Sequence, residues 1–168
     1  DTRYRPWSCV EDFLGKVEPQ KKIGDIGCGN GKNMLYRKDC TNLGCDFSNN
    51  LVSICLKKNL NVISGDILNI PYKDNTFDYT ICIAVIHHLS TNEKRKKAIS
   101  ELLRVTKPNG KLLILVWALE QEPDSRRKFT EQDNMVDWKD KKGNLLGKRY
   151  YYVFKNASNE RLAYNRLC

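Results

Sequence analysis

The chain has few of the features that mark membrane, disulfide-linked or zinc-binding proteins. It contains no run of eighteen apolar residues, the length that would predict a membrane-spanning helix. It has only two histidines, and its seven cysteines include no Cys-x-x-Cys pair. We therefore expect no metal site and no disulfide framework. Cys45, Cys55 and Cys82 lie in apolar segments, which predicts small core residues of a reduced cytoplasmic protein, with the nucleus as a second location.

What the chain does have is a balanced composition and an excess of positive charge. Its 168 residues are 40% hydrophobic and 29% charged, as expected for one folded, water-soluble domain spanning 1–168. The net charge of +9 is consistent with a polyanionic partner such as nucleic acid. The alternative is a basic protein that does not bind nucleic acid, and charge alone does not decide between the two.

Three alternating glycines form the most informative motif. Asp25-Ile26-Gly27-Cys28-Gly29-Asn30-Gly31 follows a short apolar strand, and Asp46 comes 15 residues after the last glycine. Glycines let the backbone turn sharply and approach a ligand where a Cβ atom would collide. An acid after the next strand can accept hydrogen bonds from two ribose hydroxyls. The G-x-G-x-G spacing weakens the dinucleotide alternative, so the motif predicts a nucleotide-cofactor site rather than a chance turn.

Apolar segments with strand and helix periodicity alternate along the chain. Strands are predicted at 22–26, 43–45, 62–64, 77–86 and 111–117. Helices are predicted at 7–17, at 32–38 and after an N-cap at Ser48. A further helix is predicted from Thr91 to Val105, with Ala98, Ile99, Leu102 and Leu103 inward. Residues 107–110 predict a turn. This order is typical of an α/β fold with a mostly parallel sheet and right-handed crossovers.

Two further segments follow predicted strands, where ligands bind in such sheets. Gly65-Asp66-Ile67 follows the third strand, so Asp66 could accept from an adenine amino group while the Ile67 N–H meets a ring nitrogen. An ordinary turn is the alternative.

His87 and His88 follow the fourth strand. Adjacent side chains point in different directions, so we expect at most one to contact substrate and favour His88; hydrogen-bonded scaffold residues are the alternative.

Two clusters of positive charge indicate anion binding. Arg3 and Arg5 flank Tyr4, and an Arg-x-Arg pair can hold a carboxylate or phosphate bidentately. Lys94-Arg95-Lys96-Lys97 lies near the start of a predicted helix, where cations oppose the helix dipole and phosphate binding would explain them. A solvated helix face is the alternative for these four residues.

The motifs occur together in the order found in one family. The chain resembles the eukaryotic tRNA wobble-uridine carboxymethyl methyltransferases, a class I S-adenosylmethionine-dependent family that includes the methyltransferase half of the AlkB-homologue tRNA modification enzyme. The segments that carry the resemblance are the glycine motif, Thr2-Arg3-Tyr4-Arg5-Pro6-Trp7, Gly44-Cys45-Asp46, Ile83-Ala84-Val85-Ile86-His87-His88-Leu89-Ser90-Thr91, Glu101-Leu102-Leu103-Arg104-Val105 and Val116-Trp117-Ala118-Leu119-Glu120-Gln121-Glu122. Departures occur at Asp137, where proline is usual, and at Tyr152, where histidine is usual.

The resemblance implies a fold, a reaction and a set of ligands. The fold would be the Rossmann-like three-layer sandwich, and the reaction would esterify the carboxylate of 5-carboxymethyluridine at the wobble position. The residues implied to bind S-adenosyl-L-methionine are Asp25, Gly27, Gly29, Gly31, Asp46, Asp66, Ile67 and Ala84. Those implied to hold the substrate carboxylate are Arg3, Arg5, Tyr4 and His88. The implied partners are tRNA and, in a heterodimer, a small zinc-binding activator paired along 62–64.

Two other functions remain open at this point, as does the end of the fold. A methyltransferase for a small carboxylic acid or quinone-type metabolite would share the His-His-Leu segment, and a non-catalytic scaffold would share the cofactor site. Class I enzymes normally close with another helix and an antiparallel strand pair. Residues 120–148 are polar and charged, and residues 155–168 are too few for these closing elements, so we expect the closing part to be incomplete.

Overall fold

The computed structural model describes residues 5–121, 123, 125, 128–140 and 142–155. The chain divides into two compact units. The first consists of Asp1–Ile83 and Lys96–Ile114, and the second of Ala84–Arg95 and Leu115–Cys168. No helix in the described part of the chain is both long enough and apolar enough to cross a bilayer.

The first unit is built on a five-stranded sheet. Helix α1 (Ser8–Gly15) precedes β1 (Lys22–Ile26) and β2 (Thr41–Asp46), and α2 (Asn49–Leu56) leads to β3 (Val62–Ser64) and β4 (Phe77–Ile83). Helix α3 (Asn92–Val105) then continues into β5 (Thr106–Leu115). The strand order is β3-β2-β1-β4-β5, and the pairs β1–β2, β1–β4 and β2–β3 are parallel. The predicted α/β fold is confirmed.

The core lies where the central strands are apolar on both faces. Four of the five residues of β1 are buried, and β4 is buried along most of its length. Such continuous burial is what a parallel strand covered on both faces requires. The side chains of Ile23, Phe77 and Ile81 are no more than 2% exposed, and the predicted core cysteines Cys45, Cys55 and Cys82 are buried as well.

Several predicted elements differ from the structure. The predicted helix at 32–38 is only a single 3-10 turn, Asn33–Leu35. The chain leaves the helical path there because Asn42 Nδ2 donates to the Arg37 carbonyl at 2.7 Å and Arg37 donates to the Leu14 carbonyl at 2.6 Å. The fourth strand ends at Ile83 rather than at residue 86.

The helix α3 begins as predicted but packs differently. Thr91 Oγ1 accepts from the Lys94 N–H at 3.2 Å, as a cap should. Ala98 and Leu102 are buried as expected, whereas Leu103 is 59% exposed, so its predicted inward position is wrong. The buried stripe includes the polar Glu101 instead, because that carboxylate has partners below the helix.

An ion-paired network holds the loop after β3 against α3. Glu101 accepts from the Ile70 N–H at 2.9 Å and from Arg104 at 2.7 Å. Arg104 also donates to the carbonyls of Ile70 and Tyr72, each at 2.9 Å, and to Asp74 at 2.8 Å. The hydrogen bond from Arg104 lowers the pKa of Glu101 to about 2. Four groups of the 70–74 loop are therefore fixed by the side chains of Glu101 and Arg104.

The second unit contains an antiparallel hairpin that the sequence did not reveal. Strands β6 (Asp133–Lys139) and β7 (Leu145–Tyr152) pair between Asp133 and Tyr152 at one end and Lys139 and Leu145 at the other. The connecting turn is organised by Asp140, whose Oδ1 accepts from the Lys142 and Asn144 N–H groups at 2.8 and 2.9 Å. The sequence pattern placed no element between 120 and 148, whereas the hairpin begins there. The prediction that 155–168 is too short for the closing helix and strand pair concerns residues that, from 156 on, lie outside the described part.

Candidate functional site

The glycine motif forms the turn that leaves the carboxyl end of β1. Gly27, Gly29 and Gly31 have φ values of 77°, 57° and 76°, a region that residues with a Cβ atom rarely occupy. The Gly27 and Cys28 N–H groups both donate to the Cys45 carbonyl, at 2.8 and 3.1 Å, so the turn is held against the end of β2. The strand order reverses between β1 and β4, and open parallel sheets bind ligands beside such a point.

Asp46 joins the glycine turn to the start of α2. Its Oδ2 accepts from the Gly29 N–H at 2.8 Å, and its Oδ1 accepts from the Ser48 N–H at 2.9 Å. Ser48 precedes α2 as predicted, but its side chain makes no capping bond, and its backbone N–H is held by Asp46 instead. A Cβ at Gly29 would meet nothing within 4 Å, so this side of the turn is open for a ligand.

Asp25 is a buried acid with an unused acceptor. Its side chain is 2% exposed, and Oδ2 accepts from Asn33 Nδ2 at 3.4 Å. Oδ1 has no hydrogen-bond donor among the described residues, and neither does the Asn33 Oδ1. Burial, reinforced by the charge of Asp46, raises the pKa of Asp25 to about 7. The sequence reasoning missed Asn33, whose only signal was a polar residue inside a segment predicted to be helical.

Asp66 and Ile67 lie where the sequence placed them but differ in character. Asp66 is exposed, and its Oδ1 accepts from the Leu68 N–H at 2.9 Å, which makes the segment an Asx turn. Ile67 is buried. The Gly65 N–H donates to the Asp46 carbonyl at 3.1 Å, so this turn starts beside the end of β2.

In the second unit, Ala84 adopts a strained backbone directly after β4. Its φ is 61°, although it carries a Cβ, and its N–H donates to the Leu115 carbonyl at 2.8 Å. A non-glycine residue in this region costs on the order of 1–3 kcal/mol and is found preferentially at functional sites.

His87 and His88 lie in a cluster of stacked aromatic rings in the second unit. His87 is 1% exposed and stacks on Tyr151 at 5.1 Å between ring centroids, with Trp117 at 5.3 Å. His88 is exposed, with its ring edge-on to Tyr151 at 4.5 Å. The expectation that the two side chains point in different directions is confirmed. Tyr151 and Trp117 were not predicted as site residues, although Trp117 lies in one of the segments that carry the family resemblance.

The predicted basic residues separate into three groups. Arg3 and Tyr4 lie outside the described residues, and Arg5 is highly exposed with its guanidinium 3.5 Å from Glu11. Arg95 is buried rather than part of a phosphate-binding face, because it donates to the Leu89 carbonyl at 2.9 Å and its guanidinium lies 3.6 Å from the Tyr152 ring centroid. That prediction was wrong for Arg95, while Lys94, Lys96 and Lys97 are exposed.

Comparison with known proteins identifies the fold that carries this site. The family described as a methyltransferase domain matches residues 24–114, from β1 to the end of the first unit. A fission yeast protein, the tRNA (carboxymethyluridine(34)-5-O)-methyltransferase of Schizosaccharomyces pombe, is 43% identical over 166 residues, covering 96% of this chain and 68% of that protein. The chain belongs to this methyltransferase family.

Other relatives are longer than this chain. The Arabidopsis thaliana enzyme of the same name is 48% identical over 124 residues, covering 74% of this chain and 31% of its own length. The Xenopus tropicalis relative is 46% identical over 121 residues, and the chain spans 19% of it. The chain therefore spans about a fifth to a third of these two relatives.

Solved structures support the fold. The PH0226 protein from Pyrococcus horikoshii superposes with a TM-score of 0.66 at 21% identity, covering 87% of this chain and 73% of that one. A chain from the complex between the Haloferax volcanii Trm112 methyltransferase activator and its methyltransferase matches with a TM-score of 0.53 at 20% identity, covering 59% of this chain and 46% of that one.

The residues of the first unit fit the cofactor of such a methyltransferase family. S-adenosylmethionine carries an ammonium group, and Asp25 Oδ1 is a buried oxygen that lacks a donor among the described residues. The open side of Gly29 gives the cofactor room to approach the backbone. The described residues include no group of three or more His, Cys, Asp or Glu side chains arranged to hold a metal ion.

Replacing Asp25 with Asn should weaken cofactor binding and remove its pH dependence. Because the pKa of Asp25 is raised to about 7, the wild-type carboxyl must lose a proton before it can pair with an ammonium group. Affinity of the wild type for S-adenosylmethionine should therefore fall by up to about tenfold per pH unit below 7. Calorimetry from pH 7 to 5.5 checks this, with the exposed Asp12→Asn as a control that keeps the wild-type slope. An unchanged slope in Asp25→Asn would contradict the role of this carboxyl.

The same shift has an effect of opposite sign on the ligand-free chain. The folded state keeps its proton on Asp25 between the ordinary pKa of 3.8 and about 7, where the unfolded chain has lost it. The contribution of Asp25 to the free energy of unfolding should thus decrease as the pH rises through that range. Urea titrations of the wild type and Asp25→Asn at pH 4.5 and 7 measure the difference.

Proposed function

We propose that this chain transfers the methyl group of S-adenosylmethionine to the carboxylate of 5-carboxymethyluridine at the wobble position of tRNA. The observation that carries the proposal is the 43% identity to the fission yeast enzyme of that name, which extends over 96% of the chain. The glycine turn, with Asp25 and Asp46 at one sheet edge, supplies the cofactor half of the reaction. When bound, the cofactor provides an electrophilic methyl group on a sulfonium centre.

The chemistry requires positioning rather than proton transfer. A carboxylate is already ionised at neutral pH, so its oxygen is a nucleophile without a general base. The protein has to hold that oxygen in line with the methyl group and exclude water. Alignment of this kind can supply roughly 7–11 kcal/mol of the barrier reduction. Aromatic rings surround His87, and burial lowers its pKa to about 3, so the ring is neutral and a poor base. This agrees with a reaction that needs no proton transfer.

In this proposal, different residues of the first unit bind different parts of the cofactor. Asp46 accepts from the ribose hydroxyls with the lone pairs that its two backbone bonds leave, and Asp25 pairs with the ammonium group. The backbone of Gly27, Gly29 and Gly31 lies under the methionine part. Asp66 and Ile67 are proposed at the adenine, as the sequence predicted, and Ala84 of the second unit stays a prediction for cofactor binding.

The substrate carboxylate is proposed to bind an arginine near the start of the chain. The side chain of Arg5 is 85% exposed, and its single described ion pair, with Glu11 at 3.5 Å, is long enough to exchange for a substrate carboxylate. The sequence places Arg3 and Tyr4 in the same proposed carboxylate site. An arginine fork binds a carboxylate in a fixed plane without protonating it, so the nucleophile stays reactive.

The tRNA backbone is proposed to contact the exposed lysines of α3. Lys94 and Lys96 project into solvent, whereas Lys97 pairs with Glu101 at 3.3 Å. The net charge of +9 would favour association with a polyanion through counterion release. A neutral metabolite substrate would gain nothing from this charge.

Mass spectrometry of wobble nucleosides tests the function. Incubating tRNA that carries carboxymethyluridine with the chain, an activator and S-adenosylmethionine should yield the methyl ester.

Arg5→Lys or Arg3→Lys should lower turnover at least about tenfold, because lysine keeps the charge but lacks the planar fork of arginine. The affinity for S-adenosylmethionine should stay unchanged. The exposed Lys38→Ala is the matched control. Full turnover in both arginine variants would refute the clamp, and equal methylation of unmodified uridine would refute the function in favour of the metabolite alternative.

A small zinc-binding activator is proposed to add a strand beside β3. This strand is the edge of the sheet, as predicted, and it carries Ile63 at 40% exposure. The Asn61 carbonyl and the Gly65 N–H bond to β2, so alternation turns the N–H groups of Val62 and Ser64 outward. Phe47 and Ile54, on neighbouring segments, are exposed too. An unprotected apolar edge of this kind is a template for pairing, and the activator complex of Haloferax volcanii is among the structural matches.

Ser64→Pro should abolish co-purification with the activator. Proline removes the outward N–H that a partner strand would use, while the ladder to β2 depends on other groups. Ser64→Ala is the matched control, because it loses the hydroxyl bond to Asn49 but keeps the N–H, and it should bind normally. If the chain methylates tRNA fully when purified alone, or if both variants bind the activator equally, the pairing is wrong.

A further inference from the structure

The ring of His88 is held in one orientation. Its Nδ1 lies 3.1 Å from the Tyr150 carbonyl oxygen. The rings of His87 and Tyr151 stand edge-on to it, at 4.4 and 4.5 Å between centroids. Turning the ring over would replace Nδ1 with a carbon atom and break the bond to Tyr150. Since a carbonyl oxygen can only accept, Nδ1 must carry the hydrogen, and Nε2 of the neutral ring is left with a lone pair.

His87 has the opposite tautomer. The backbone N–H of Trp117 donates to His87 Nδ1 at 3.3 Å, so the hydrogen of the neutral His87 ring lies on Nε2. Neighbouring residues therefore differ in which nitrogen donates, and each assignment is imposed by a backbone group. Burial lowers the pKa of His87. Partial desolvation lowers the pKa of the more exposed His88, with a smaller contribution from the charge of Arg149, and the bond to Tyr150 opposes the shift without cancelling it. Both rings are thus neutral at physiological pH.

We propose that Nε2 of His88 accepts a hydrogen bond from the substrate nucleoside and so acts as a specificity-determining group that requires a donor. This inference rests on the proposed function, because it takes the substrate to be a modified uridine. A carboxylate and a phosphodiester carry no hydrogen at neutral pH and cannot be bound by a lone pair. The donors that a uridine offers are the imide N3–H and the ribose 2′-hydroxyl.

This assignment changes the role predicted for His88. The sequence grouped it with the arginines around the substrate carboxylate, which would need a donor at Nε2. A lone pair at that atom repels a carboxylate, so carboxylate binding is left to the arginines. His88 instead favours nucleosides with a donor in the matching position, and it disfavours those in which that donor is blocked.

Substitutions at His88 show whether the reaction needs a hydrogen-bond acceptor or a donor at the position of Nε2. The Gln side chain can place a carbonyl oxygen near the position of Nε2, whereas Lys places a cationic donor there. The assay is methyl transfer to a synthetic anticodon stem-loop bearing carboxymethyluridine, with the activator present. His88→Ala should lower kcat/KM about tenfold, His88→Gln should recover part of the loss, and His88→Lys should recover none. Rescue by Lys but not by Gln would overturn the proposal.

Modified stem-loops identify the donor. One carries N3-methylated carboxymethyluridine, and the other lacks the 2′-hydroxyl at that nucleotide. The kcat/KM of the wild type should fall about tenfold on the stem-loop that lacks the relevant donor. The kcat/KM of His88→Ala, already reduced, should not fall further on that stem-loop. The Lys38→Ala control should lose as much as the wild type. Additive losses for both stem-loops would overturn the acceptor role.

The tautomers can be measured without any substrate. Long-range ¹H–¹⁵N spectra of the ligand-free chain should show a protonated Nδ1 and a free Nε2 for His88, with the reverse for His87. A protonated Nε2 on His88 overturns the inference even if methylation proceeds. A wild type that shows these tautomers but does not methylate carboxymethyluridine counts against the proposed function instead. The two failures are therefore distinguishable.

Discussion

The carboxylate of Asp46 is the interaction on which the first unit's site depends. One oxygen holds the Gly29 N–H and the other holds the Ser48 N–H, at 2.8 and 2.9 Å. A single side chain at the end of β2 thus fixes the turn after β1 and the start of α2. Backbone N–H groups are strong donors, and each bond to an ionised acceptor contributes on the order of 1.5–3 kcal/mol. Glycine allows positive φ at three positions of this turn, and the bond from Gly29 to Asp46 holds the middle of the turn in place.

Two acids, Asp25 and Asp46, lie beside that turn. Asp25 is buried with one oxygen that lacks a donor among the described residues, and the nearby Asp46 raises its pKa further. An orphaned buried acceptor is costly unless a ligand completes it. The orphaned oxygen of Asp25 thus fits the proposed pairing with the ammonium group of the cofactor.

The sequence predicted the parts of the fold that follow from local rules. The bounds of β1 and β3 were correct because apolar runs ended by glycine, polar residues or proline define them locally, and the glycine motif needed no distant partner. The predicted helix at 32–38 failed because Arg37 bonds to the Leu14 carbonyl, 23 residues away, and Asn42 takes the Arg37 carbonyl. Arg95 failed for the same reason, since the ring that covers it belongs to Tyr152. The hairpin was missed because both of its strands expose apolar residues, among them Met135 and Leu145, so no alternation of apolar and polar residues marks it.

The most direct test of the account is calorimetric binding of S-adenosylmethionine to the wild type, Asp46→Asn and Asp46→Ala. Asn keeps one acceptor oxygen for the backbone but loses the charge, whereas Ala releases both Gly29 and Ser48. The account predicts binding at least about tenfold weaker for Asn and weaker still for Ala, with both variants folded by circular dichroism. Unchanged affinity in a folded Asp46→Ala would contradict the claim that this carboxylate organises the cofactor site.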